Sequence, residues 1–96
     1  MSNQSTSAPP FTEKQGQYLA FIHLYTLIND RPPAEADMQR FFKVTPPSVH
    51  SMVVELELKG FIRRAPRQAR SIEVLLPIQL LPPLKPQTIK SSVERY

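Results

Sequence analysis

Four arginines fall within eight positions of this 96-residue chain: Arg63, Arg64, Arg67 and Arg70. With Lys59 they form a run of five cations that contains no acid, more than the formal net charge of +4 carried by the whole chain. A guanidinium presents a rigid fork of donors that matches phosphate oxygens, and cations crowded onto one short segment are what contact with a phosphate backbone requires. The plainer alternative is a solvated hairpin face, although four arginines without an acid exceed what solubility asks for. Just upstream, Pro47, Ser48, His50 and Ser51 are small or hydrogen-bonding groups, and acids return only at Glu55 and Glu57. No other constellation suggests a reaction. The absence of cysteine excludes disulfides, thiolate metal sites and cysteine nucleophiles. His23 has no second ligand at a suitable spacing, and no nucleophile–base pair or paired carboxylate can be named. Neither an enzyme nor a metal or other cofactor is expected.

These residues need elements to hold them. Thr12-Glu13-Lys14-Gln15 has the form of a capping box and opens a helix to about Asn29. Tyr18, Phe21, Ile22, Tyr25 and Ile28 recur at spacings of three and four, with Leu24 widening the stripe, so one face is expected to be core. Gly16 reads as a local weakness of about 1 kcal/mol. Pro32-Pro33 breaks the chain firmly. A second helix over about Glu35–Phe42 carries Glu35 and Asp37 in its first turn, where they suit the helix dipole, and buries Met38, Phe41 and Phe42.

Thr45 is an expected N-cap, with Pro46 at the first position of a third helix over about 46–59. Val49, Met52, Val53 and Leu56 form its core stripe, which places Pro47, Ser48, His50 and Ser51 opposite. Gly60 is expected to end it as a left-handed cap. Residues 61–65 and 71–75 read as two short strands, joined by Pro66-Arg67-Gln68-Ala69-Arg70, a glycine-free turn whose geometry stays open.

Residues 1–10 are expected to be a disordered arm, 11–76 the folded domain, and 77–96 a Pro/Leu-rich tail whose last ten residues are loose. Eleven prolines punctuate the chain, four of them from Pro77 to Pro86, so the tail cannot form an ordinary helix or strand. Leu75, Leu76, Ile78, Leu80, Leu81 and Leu84 are too apolar for a free linker and should lie against the domain or another copy. Pro83-Leu84-Lys85-Pro86 matches P-x-x-P, a common pattern. No leader segment and no apolar run of about 20 residues is legible, so a cytoplasmic protein without a membrane partner is expected.

The order Thr12 helix, Pro32-Pro33, helix, Thr45-Pro46 helix, Lys59-Gly60-Phe61-Ile62 and basic hairpin resembles the N-terminal DNA-binding domain of LexA repressors. The segment Val49 to Arg64 is also similar to the broader MarR-type winged-helix pattern. The likeness runs from about Phe11 to Leu75, with one residue fewer at the helix-turn-helix turn. It implies an α+β winged helix-turn-helix, three helices followed by a two-stranded antiparallel β-hairpin wing, and double-stranded DNA as partner. Carried over by position, it implies that Thr45, Pro47, Ser48, His50 and Ser51 touch bases or phosphates. Pro47 departs from a polar residue of the family, and His50-Ser51 stand where LexA repressors carry acids, so the operator preference does not transfer. The family's C-terminal Ser-Lys self-cleaving and dimerising domain is not expected to act here, because the chain ends at Tyr96.

Sequence-specific DNA binding in transcriptional control, as a repressor, is therefore the expected function. Ser48, His50 and Ser51 would read base edges, and Arg63, Arg64, Arg67 and Arg70 would grip backbone or minor groove. The alternative is a protein-interaction winged helix that uses the wing and tail without DNA. A homodimer through the first helix or the tail would double a small site.

Overall fold

The computed structural model describes residues 9–87. The expected arm lies outside them except for Pro9 and Pro10, as do residues 88–96 of the tail.

Helix α1 spans Glu13–Asn29. Its capping box forms in both directions. The Gln15 N–H donates to Thr12 Oγ1 at 3.1 Å, and the Thr12 N–H donates to Gln15 Oε1 at 2.9 Å. Helix α2 spans Glu35–Phe42 and closes on Lys43, a left-handed residue at φ 58°. Two residues later Thr45 caps helix α3, Pro46–Leu58. Its exit is a Schellman cap: Phe61 N–H donates to Leu56 O and Gly60 N–H to Glu57 O, both at 3.0 Å, with Gly60 at φ 79°. Leu56 and Phe61, the apolar pair that accompanies this motif, are both buried.

Strands β1 (Ile62–Arg63) and β2 (Glu73–Val74) pair antiparallel, with Ile62 opposite Val74 and Arg63 opposite Glu73. The order of three helices and a two-stranded antiparallel sheet is the expected α+β winged helix. The strands are shorter than the sequence suggests, for a visible reason. At Ala65 the backbone N–H donates to Ser71 Oγ at 2.9 Å, so a side chain takes the place of a ladder bond. Pairing reaches one step beyond β2 through Leu75 N–H to Phe61 O at 2.8 Å. The turn left open by the sequence is now defined. Gln68 N–H donates to Ala65 O at 3.3 Å, and Arg67 sits at φ 63°. Proline at the second position with positive φ at the third is a type II turn, here with arginine where glycine is usual.

The core joins all elements. Leu19, Met38, Val49, Val53 and Leu56 are fully buried, and Tyr18, Ile22 and Ile62 nearly so. Tyr18 stacks on Phe42 at 4.2 Å between centroids, and Phe21 lies 4.8 Å from Phe41, which fixes α2 against α1. Two expectations about α1 need correction. Ile28, assigned to the core stripe, is 77% exposed, because the last turn of α1 runs beyond the elements that cover it. Leu19, outside that stripe, is fully buried.

The tail covers a second side of α1. After a 3-10 turn at Ile78–Leu80 the chain runs back over the start of the helix. Gln17 Nε2 donates to Pro83 O at 3.0 Å, and Lys85 N–H donates to Gln17 Oε1 at 2.8 Å. Leu76, Leu81 and Leu84 pack against the core. Of the two places offered for the tail, the domain's own body takes Leu76, Leu81 and Leu84, whereas Leu75, Ile78 and Leu80, also expected to be covered, stay exposed. Gly16 gains a reason here. A Cβ on it would lie 2.8 Å from Phe11 Cε1 and 3.1 Å from Pro82 Cγ, so its bareness lets the tail and Phe11 close on the helix.

Candidate nucleic-acid interface

The N-terminal edge of α3 exposes Thr45, Pro47, Ser48, His50 and Ser51 together, while Val49, Val53 and Leu56 hold the opposite face in the core. Its backbone has little to offer a ligand. Pro46 and Pro47 have no N–H, Ser48 N–H donates to Thr45 Oγ1 at 3.3 Å, and Val49 N–H donates to Thr45 O at 3.2 Å. A helix N-terminus usually grips anions with free N–H groups; in this one side chains must do that work. Thr45 Oγ1 also donates to Ser48 Oγ at 3.0 Å, which leaves the Ser48 hydroxyl hydrogen free to point outward. No acid stands in the first turn.

The acid-free run of arginines acquires acids from other elements. Arg63 Nε donates to Glu73 Oε1 across the sheet at 2.8 Å. Arg64 Nε donates to Glu57 Oε1 on α3 at 3.0 Å, and its Nη1 lies 3.4 Å from Glu35 Oε2 on α2. Arg70 Nη1 reaches Asp37 Oδ2 at 3.0 Å, Tyr25 Oη at 3.2 Å and Pro32 O at 3.2 Å. Arg67, exposed at the tip of the turn, makes no ion pair among the described residues. The four arginines therefore divide: Arg64 and Arg70 brace the wing against the helices, Arg63 is half-committed to an exposed pair, and Arg67 projects.

Asp37 is the centre of that bracing. It is buried to 8% exposure and accepts from the Ala34 N–H at 2.8 Å and from Arg40 Nη2 at 2.6 Å as well as from Arg70. Burial pushes its carboxyl up, but the Ala34 N–H and the two arginines outweigh it, leaving the group below the usual carboxylate range.

Sequence reasoning passed over three residues at this surface. Lys14, from the first turn of α1, lines the same shallow hollow as Pro47, Ser48, Ser51, Met52 and Glu55; a cation in the opening turn of a helix was the available signal. Glu35 lies 3.3 Å from His50 Nδ1, a contact between helices with no local trace. Gln15 Nε2 donates to Glu55 Oε2 at 3.0 Å and so engages one acid of α3. Among the described residues no group of three or more His, Cys, Asp or Glu side chains is placed to hold a metal ion, and no helix is long and apolar enough to cross a membrane.

The arrangement is an exposed helix edge beside a basic hairpin, and residues 8–71 match the family model of the LexA DNA-binding domain. The chain belongs to the LexA DNA-binding domain family. Over 64 residues it is 42% identical to the LexA repressor of Thermosipho melanesiensis and 39% identical to that of Thermosipho africanus. Each match covers 67% of this chain and 32% of the relative, so the chain spans about a third of the length of these LexA repressors. Residues 72–87, which contain β2 and fold back over α1, lie beyond the LexA family match.

Proposed function

We propose that this LexA-type domain binds double-stranded DNA as a transcriptional repressor, with α3 in the major groove and the wing beside it. The observation that carries this reading is the exposed, acid-free edge Thr45–Ser51 of α3, set beside a wing whose turn projects Arg67. Ser48, His50 and Ser51 read base edges, while Thr45 and Pro47 pack against the strand backbone. Arg67 and Arg63 meet phosphates or the minor groove, and Lys14 adds a phosphate contact from α1. Arg64 and Arg70 act chiefly by aiming the wing. A cytoplasmic setting accords with a DNA ligand and a cysteine-free chain. A two-fold pair of copies doubles the few base pairs that one domain reads. The apolar groups left at the surface near the two expected dimer contacts are Leu27 and Ile28 on α1, and Leu75, Ile78 and Leu80 in the tail.

The test is selection of bound duplexes from a random pool, followed by an anisotropy titration at several salt concentrations. With about four to six phosphate contacts, affinity falls by about 10²- to 10³-fold between 50 and 200 mM salt, and the selected consensus is palindromic if the copies pair. No enrichment, or binding indifferent to salt, would reject the reading.

A further inference from the structure

His50 stands on the exposed edge of α3, and its ring can face a base either as a donor or as an acceptor. A neutral imidazole carries one hydrogen, and the nitrogen without it accepts. The partner of the other nitrogen decides which is which. In this structure His50 Nδ1 lies 3.3 Å from Glu35 Oε2. An ionised carboxylate only accepts, so the hydrogen belongs on Nδ1 and the lone pair is left on Nε2. Glu35 is itself held in place. Its Oε2 also faces Arg64 Nη1 at 3.4 Å, and Arg64 is anchored by Glu57. This carboxylate belongs to α2, yet it couples the base-reading helix to the root of the wing.

We propose that Glu35 is a positioning residue that fixes His50 as the Nδ1–H tautomer, so that Nε2 accepts from an amino group of cytosine or adenine. This specificity rests on the DNA-binding function proposed above. In the major groove cytosine offers its N4 amino group and adenine its N6, whereas guanine O6 and N7 and thymine O4 are acceptors. A histidine with the opposite tautomer would donate from Nε2 and favour guanine. The identity of the base facing His50 is thus written partly on a neighbouring helix.

Two measurements on the full chain test this separately. A long-range proton–nitrogen correlation spectrum of the free protein at pH 8, above the ordinary imidazole range, is expected to give His50 the pattern of an Nδ1–H ring, with Glu35→Ala moving it towards Nε2–H. An Nε2–H pattern in the unaltered protein overturns the proposal whether or not DNA binds. Selections from a random duplex pool are then compared for the unaltered protein, Glu35→Ala and His50→Ala. The position that His50→Ala flattens is expected to prefer C or A by about three- to tenfold, and Glu35→Ala is expected to abolish or invert that preference while enrichment elsewhere persists. An unchanged preference in Glu35→Ala overturns the assignment of Glu35. Failure of the unaltered protein to enrich any sequence overturns the DNA-binding function itself, and the specificity built on it falls too.

Discussion

Arg70 Nη1 lies 3.0 Å from Asp37 Oδ2, which ties the far end of the wing to the first turn of α2. The hairpin has only two paired residues per strand, too few to hold a direction unaided. Contacts with the helices supply the rest: Arg70 with Asp37, Tyr25 and Pro32 at one end, and Arg64 with Glu57 and Glu35 at the other. Charges that look like ligand-binding equipment in one dimension also brace the wing at these two residues.

Removing the buried charge tests that scaffold. Asp37→Asn keeps the shape but weakens the contacts to Arg70, Arg40 and the Ala34 N–H, and is expected to destabilise the domain by about 1–3 kcal/mol at pH 7. The folded-state pKa of Asp37 is depressed, so the folded chain holds fewer protons than the unfolded chain. Its stabilising contribution is complete above the unfolded carboxyl value of about 3.9 and is lost as pH falls through the lower folded value. Melting curves from pH 7 to pH 2 should therefore show a steeper acid loss in the unaltered protein than in Asp37→Asn. Parallel curves would count against the assignment.

Arg67 separates stability from binding. It holds a positive φ of 63° in the third position of a type II turn, where a side chain is strained. Arg67→Gly is expected to stabilise the domain by about 0.5–1 kcal/mol while lowering DNA affinity and reducing the salt slope by about one. Calorimetry and anisotropy on the same sample check both halves. Arg70→Ala should do the reverse to stability, and so is the poorer probe of direct contact.

One side-chain amide, that of Gln17, makes both hydrogen bonds between α1 and the tail backbone, beside the Lys85 Nζ–Glu13 Oε2 pair at 2.8 Å and the packed leucines. Gln17→Ala removes the acceptor for Lys85 N–H and the donor to Pro83 O. Hydrogen exchange at the Lys85 amide should accelerate more than tenfold, while the melting temperature falls by only several degrees, in keeping with a loss of about 1–2 kcal/mol. Exchange at Lys85 unchanged from the parent would mean that the proline-rich segment is seated by its leucines and the Lys85–Glu13 pair instead.

At Gly16 the intrinsic preference and the packing point in opposite directions. Alanine in mid-helix is ordinarily favoured by about 1 kcal/mol. Here its methyl group would meet the Phe11 ring at 2.8 Å and Pro82 at 3.1 Å, and Phe11 is buried edge-on against Phe61. Overpacking of this kind costs about 1–3 kcal/mol, so Gly16→Ala should lower the melting temperature. A rise would show that Phe11 can move aside.

Local rules acting within a few residues determined much of this protein from its sequence alone. Thr12 with Gln15, Thr45 with Pro46, and Gly60 set the ends of helices because a cap acts within one turn. Val49, Val53 and Leu56 identified the buried face of α3 because helical period and burial are one geometry. That same reading put Thr45, Pro47, Ser48, His50 and Ser51 on an exposed edge. Only the tertiary structure decided what each charge faces. Asp37 and Arg70 are 33 residues apart, Glu35 and Arg64 are 29 apart, and Gln17 and Lys85 are 68 apart; no periodicity relates such positions. It also settled the fate of apolar residues whose cover comes from elsewhere, leaving Ile28 bare and burying Leu19. Capping and periodicity are properties of a segment, whereas ion pairing and solvent exclusion belong to surfaces that exist only once segments have met.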